Sequence, residues 1–217
     1  AIFVDPAEYK SVEMRNASDL FDALVSQFDS YSGHIALCRN YDEILGALNS
    51  GRIAALISIE NGGAFQGELS ALRNFYRLGV RSVCLTWNYR NEIADGIKET
   101  STGGGLTEFG RQVVCEMNRL GMLIDVSHIS EKGFRDVVEL SEDPVIASHS
   151  NAKRICNHIR NLNDEQILAI KENGGVIGIN FCPEFLNETG KASSEDIIKH
   201  IEYISALAGP EHVGFGA

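Results

Sequence analysis

Hydrophobic positions along this chain follow two alternating rhythms. Short apolar, β-branched runs, such as Arg52-Ile-Ala-Ala-Leu-Ile-Ser-Ile-Glu60, Val80-Arg-Ser-Val-Cys-Leu-Thr86 and Met122-Leu-Ile-Asp-Val-Ser-His128, read as buried parallel strands. Between them apolar residues recur at helical period, as in Leu69, Leu72, Phe75 and Tyr76, or Val113, Val114, Met117 and Leu120. The same junction returns each time: an amphipathic helix, a glycine (Gly51, Gly79, Gly121, Gly174, Gly209), then a strand. Asn163 before Asp-Glu-Gln-Ile, and Ser194 before Glu-Asp-Ile-Ile, have the form of helix N-caps with acidic first turns.

The pattern predicts seven strands, at 1–4, 53–59, 81–86, 122–126, 145–148, 175–180 and 212–216. Strands alternating with helices, without a hairpin signal, give an α/β chain with a parallel sheet. Right-handed crossovers then allow a doubly wound sheet or a barrel. Seven strands are one short of a (β/α)8 TIM-like barrel, and the chain opens inside an apolar run, Ala1-Ile-Phe-Val4. The expectation is a single domain over residues 1–217, a barrel missing its first strand and a C-terminal segment. No Pro/Ser/Gly-rich tract divides it; Ser101-Thr-Gly-Gly-Gly105 reads as a loop tip.

Three of the apolar runs stop on a side chain that can bind a metal: Glu60, His128 and, after Val145-Ile-Ala-Ser, His149. In a βα-barrel the loops after the C-terminal strand ends build the active site, so the three converge although they are distant in sequence. Two neutral imidazoles and a carboxylate suit zinc or a similar divalent ion, and a carboxylate can also bridge two ions. The glycines of Asn61-Gly-Gly63 let backbone approach such a site closely. Arg160-Asn161 follows His149 by a short loop, where a guanidinium can clamp a substrate carboxylate in bidentate fashion. Asp125, within a strand and pointing opposite to its neighbours, reads as a buried hydrogen-bonding carboxylate, at most an orienter of a ligand and not a ligand itself. His158 is a weak ligand candidate, and His34, His200 and His212 read as surface or core histidines.

A formal net charge of −11 argues against a nucleic-acid or anionic-membrane surface. The five cysteines are odd in number and scattered, with Cys84 and Cys115 read as small buried hydrophobes. That usage fits a reducing compartment such as the cytoplasm better than a disulfide framework. No apolar run approaches the length of a membrane span.

Several motifs resemble the renal (membrane) dipeptidase family of zinc peptidases. They are Ile59-Glu-Asn-Gly-Gly63, Leu85-Thr-Trp-Asn88, Gly105-Leu-Thr-Glu-Phe-Gly110, Asn118 through Ser130, Ser148-His-Ser150, Arg160-Asn161 and Gly214-Phe-Gly216, in register from end to end. The resemblance implies a (β/α)8 barrel with two zinc ions, Glu60 bridging them and His128 and His149 completing one site. It implies that Arg160 binds the substrate's terminal carboxylate, that dipeptides are the substrates, and that a D-residue is tolerated on their C-terminal side. The family's His-x-Asp pair from the first strand has no counterpart here, and its Asp after Gly-Phe-Gly would follow Ala217. A chain of this extent is expected to hold at most one ion tightly and to be inactive by itself. Trp87 stands where mammalian members carry a substrate-contacting His, which affects substrate range; Trp87 and Asn161 join Arg160 as substrate-binding candidates. A homodimer is an open partner. The rival readings are a metal hydrolase of another amide, with a carboxylated Lys or a different His pattern, and a metal-free barrel kept for binding.

Overall fold

In the computed structural model, which describes residues 1–8 and 11–216, all five junction glycines take positive φ, from 67° at Gly121 to 126° at Gly79. A residue with a Cβ is strained there, so each helix ends and the chain returns as a strand. In chain order the first elements are β1 (Ile2–Phe3), α1 (Glu13–Ser30), β2 (Ile35–Leu37), α2 (Tyr41–Asn49), β3 (Ile53–Ala55) and β4 (Ile57–Glu60). Next come α3 (Leu69–Leu78), β5 (Val80–Cys84), α4 (Glu108–Leu120), β6 (Leu123–Asp125), α5 (Glu131–Leu140) and β7 (Ile146–Ala147). The last are α6 (Asp164–Glu172), β8 (Val176–Ile179), α7 (Pro183–Leu186), α8 (Ser194–Ala208) and β9 (Val213–Phe215).

Seven strands form one sheet in the order β1-β4-β5-β6-β7-β8-β9, every pair parallel. A doubly wound sheet would reverse its order at a switch point; this one runs straight through. Six steps of about 4.8 Å would hold the edges of a flat sheet about 29 Å apart. One cavity of about 270 Å³ is instead lined both by Ala1 and Ser58 on the β1 side and by Phe215 and Gly216 on the β9 side. The sheet therefore curls into a barrel. Among the described residues β1 and β9 do not pair with each other.

The two faces of the barrel wall divide the labour. Ile57, Ile59, Val83, Ile124, Ala147, Ile177 and Ile179 are fully buried, packed in one core with Val113, Val114, Met117, Phe134, Val137, Ile167 and Ile170 of the helices. Burying each such aliphatic side chain is worth about 1.5–3 kcal/mol, so the outer ring stabilises the fold. The alternate residues Ser58, Glu60, Cys84, Asp125 and Ser148 line the inner cavity. Strand period two thus separates the stabilising face from the chemical one.

Four expectations need correction. Residues 53–59 are two strands, β3 and β4, in different sheets: β3 pairs in parallel with β2, an unexpected strand, outside the main sheet. Three-residue strands are too short to show a period, and the apolar run across Leu56 hid the break. The cap of α8 is Ser193, one residue earlier than expected, and the Asp196 carboxylate accepts from both its N–H and its hydroxyl. Asn163 caps α6 as expected, in a reciprocal box with Gln166. Cys115 is exposed on α4 rather than buried, while Cys84 is buried. Finally, the observed strands are shorter than the apolar runs, β7 comprising only Ile146–Ala147.

Close approach of three strand ends requires glycine at two places. A Cβ on Gly178 or on Gly216 would lie 2.1 Å from the Ser148 carbonyl oxygen. On Gly214 it would meet only Val176 Cγ1 at 3.6 Å, an ordinary contact. Gly178→Ala should therefore lower unfolding stability by about 1–3 kcal/mol, and Gly214→Ala should change it by no more than about 1 kcal/mol. Urea unfolding of both variants checks this; equal effects would contradict the close approach.

Candidate metal centre

Glu60, His128 and His149 end or follow three different strands, and the barrel brings them together. His128 Nε2 lies 2.7 Å from His149 Nε2 and 3.3 Å from Glu60 Oε1, and His149 Nε2 lies 3.8 Å from the same oxygen. The three are the metal-capable cluster found among the described residues.

Each ligand candidate is held by its backbone. Asn61, directly after Glu60, has φ 83°; its side chain donates to the Val4 carbonyl and accepts from Gly63 N–H, tying β1 to the end of β4. His128 has φ 67°, a left-handed conformation that costs a β-carbon residue roughly 1–2 kcal/mol. Its carbonyl accepts from Ile97 N–H at 2.7 Å, which helps to fix the turn. His149 N–H donates to Ser127 Oγ at 3.2 Å.

Hydrogen-bond bookkeeping then fixes the tautomers. Asp125 is buried and accepts from Ser127 N–H and Ser148 N–H. Its other oxygen lies 2.5 Å from Ser148 Oγ. An ionised carboxylate only accepts, so the Ser148 hydroxyl donates to Asp125 and accepts from His149 Nδ1–H, 2.7 Å away. Likewise His128 Nδ1–H donates to Asn88 Oδ1 at 2.9 Å. Both Nε2 atoms are left with bare lone pairs, facing each other and the Glu60 oxygen. Burial is the first cause of a His128 pKa pushed down to about 2, and Arg160 and His149 lower it further. Burial also lowers that of His149, with Arg160 adding to it against the opposing pull of Asp125 and Glu60. Two neutral imidazoles and a carboxylate oxygen, 2.7–3.8 Å apart, match donors of one tetrahedral ion, whose ligands at about 2 Å stand about 3.3 Å from one another. The donor set fits a divalent metal.

Other candidates fall around this cluster. Arg160 is buried; its Nη2 reaches the His149 carbonyl at 3.4 Å, and its Nε has no partner among the described residues. It shares a small pocket with His128, Ser150 and Asn161. Asn161 is anchored rather than free: its Nδ2 donates to Cys156 O and Phe185 O, both at 2.8 Å, which leaves only the buried Oδ1 without a partner. The Trp87 ring stands 6.3 Å from that of His128. His158 is outside the cluster, stacked on Phe185 and accepting Arg160 N–H. His200 is a core histidine that accepts from Ala152 N–H and faces the Leu186 carbonyl. The Cys84 thiol, pushed well up by burial and then by Asp125 and Glu60, stays protonated and donates to Ser127 O. Sequence reasoning missed Asn88 and Ser148 as the orienting partners, although Ser148 adjoins His149 and Asn88 follows a strand end.

The depressed histidines set a pH dependence. A folded affinity for protons below the unfolded value near 6.5 means that their contribution to stability is complete above that pH and is lost as pH falls. The metal-free chain should lose stability from pH 6.5 downward, at about 1.4 kcal/mol per pH unit per histidine. Unfolding titrations at stepped pH should show a slope shallower by about one proton in His128→Gln. An unchanged slope would mean that the ring is charged in the folded chain.

Comparison with known proteins gives a concordant picture. The membrane dipeptidase (peptidase family M19) profile matches residues 1–217. A metallo peptidase of Rhodobacter sphaeroides, solved with a phosphinate mimic of the dipeptide L-Ala-D-Ala, superposes with a TM-score of 0.89 at 33% identity, over 94% of this chain and 60% of its own. Dipeptidase AC, a metallo peptidase of family M19, superposes with a TM-score of 0.92 at 31% identity, over 99% and 69%. Dipeptidase tcpJ of Claviceps purpurea is 35% identical over 217 residues, 99% of this chain and 51% of that protein. The chain thus spans about half the length of the Claviceps relative and under two thirds of the Rhodobacter chain. With the whole of its sequence matched by that profile, the chain belongs to the membrane dipeptidase family, peptidase family M19.

Proposed function

We propose that Glu60, His128 and His149 hold zinc and that the protein hydrolyses the peptide bond of dipeptides. One observation carries this reading: two imidazole nitrogens and a carboxylate converge beside a buried guanidinium, Arg160, that has no carboxylate partner among the described residues. A buried charge is costly unless paired, and a substrate carboxylate is the natural partner here. The pairing fixes the scissile carbonyl one residue from the substrate's free C-terminal carboxylate, a spacing that a dipeptide satisfies.

A divalent ion bound by the three donors supplies Lewis acidity toward the scissile carbonyl and the attacking water. The protein's own part is orientation. Asp125 holds Ser148, Ser148 holds the His149 ring, and Asn88 holds the His128 ring, so both lone pairs stay aimed without reorganisation. Glu60 has two carboxylate oxygens and can hold a second ion beside the first. Asn161 Oδ1, an acceptor with no partner, suits a substrate N–H rather than its carboxylate. Tolerance of a D-residue on the C-terminal side is supported by the L-Ala-D-Ala mimic bound to the Rhodobacter sphaeroides relative. All five cysteines are free thiols, which supports a reducing compartment such as the cytoplasm, and no helix among the described residues is long and apolar enough to cross a membrane.

In a full-length enzyme carrying this sequence, Arg160→Ala should raise KM for dipeptides by roughly 10–100-fold, the loss of a charge-assisted pair worth about 1.5–3 kcal/mol. A dipeptide amide, lacking the carboxylate, should lose far less. Steady-state kinetics on both substrates decide it, and equal losses would return Arg160 to a structural role.

A further inference from the structure

The tops of β1 and β5 carry three aromatic side chains that the metal chemistry leaves unused. Phe3, Trp87 and Tyr89 form a continuous row: the Phe3 and Trp87 rings meet edge-on at 5.5 Å and those of Trp87 and Tyr89 at 6.2 Å. The row is open to solvent, Phe3 being 38% and Tyr89 47% exposed. Its centre, Trp87, is 6.3 Å from the His128 ring. Lys98 Nζ sits 5.1 Å over the Tyr89 ring and puts a positive charge at the far end.

Strand order says what this row faces. Around the rim come Phe3 on β1, Glu60 on β4, Trp87 after β5, His128 after β6, and His149 and Arg160 after β7. Arg160 and the Phe3 end of the row therefore flank the metal-capable cluster from opposite sides. Phe3 is also in register with Glu60, so it shares the inner face of the barrel wall. A dipeptide whose carboxylate pairs with Arg160 and whose carbonyl lies at the cluster extends its N-terminal residue toward Phe3 and Trp87.

We propose that Phe3, Trp87 and Tyr89 are a specificity wall that selects dipeptides with an aromatic or large apolar N-terminal side chain. The inference rests on the dipeptide reading above and adds the residue class that the site prefers. Aromatic faces gain from stacking and edge contacts beyond the area they bury, whereas a methyl group reaches little of the row. The Lys98 ammonium opposes a Lys or Arg side chain there.

Trp87 is the only tryptophan of the chain, so its emission reports contact directly. The zinc-loaded chain would be titrated with two phosphinate dipeptide mimics, identical except for a benzyl or a methyl group on the N-terminal side, while calorimetry records binding independently. The expected result is that the benzyl compound shifts Trp87 emission and binds about tenfold more tightly, and that Trp87→Ala, followed by calorimetry, loses that preference while Trp87→Phe keeps most of it. If both compounds bind with equal affinity and emission does not move, the dipeptide reading stands and the wall is overturned. If neither binds by calorimetry, the dipeptide reading fails and the wall falls with it.

Discussion

Two imidazole nitrogens and a carboxylate oxygen face one another across 2.7–3.8 Å, and the protons of both rings sit on the far nitrogens, toward Asn88 and Ser148. This arrangement is electrostatically unfavourable unless a cation sits among the three, and the rest of the inner barrel maintains it. Asp125 accepts three hydrogen bonds to hold Ser148 and the turn to His128. Asn88 holds the other ring, and Asn61 pins the end of β4 to β1. Removing one of these partners leaves the ligand residues in place in sequence but frees a ring to turn its lone pair away.

The outer barrel makes that expense tolerable. Aliphatic residues at every second position of the strands pack under the helices, and this ring supplies the burial that holds the fold. The inner positions are then released from packing duty and can carry serine, glutamate, aspartate and cysteine around a cavity. Gly178 and Gly216 let the last strands close on the Ser148 carbonyl, next to the His149 backbone. Positive φ at Asn61 and His128 places the local strain at the functional rim, where it orients side chains rather than weakening the core.

Much of this was legible in the sequence, for particular reasons. Glu60, His128 and His149 each terminate an apolar run, and the rule that barrel chemistry gathers at strand ends was enough to bring them together. The five junction glycines marked the helix ends correctly, since only that residue takes such φ values at low cost. The division of residues 53–59 between two sheets was not legible, because a three-residue strand has no period to read. The partner of the His128 ring was missed because hydrogen bonding between residues 40 positions apart, as for Asn88 and His128, leaves no local signature; Ser148 adjoins His149, but its orienting role depends on Asp125, 23 positions away. Phe3 and Trp87 meet for the same reason only after β1 and β5 flank β4.

The central claim is that the two Nε2 lone pairs and Glu60 form one coordination site. X-ray absorption at the zinc edge, on the chain loaded with one equivalent of zinc, tests it most directly. The account predicts two imidazole nitrogens and a carboxylate oxygen in the first shell at about 2.0–2.2 Å, with the imidazole scattering halved in His149→Ala. An all-oxygen shell, a thiolate sulfur, or a spectrum indifferent to that substitution would contradict it.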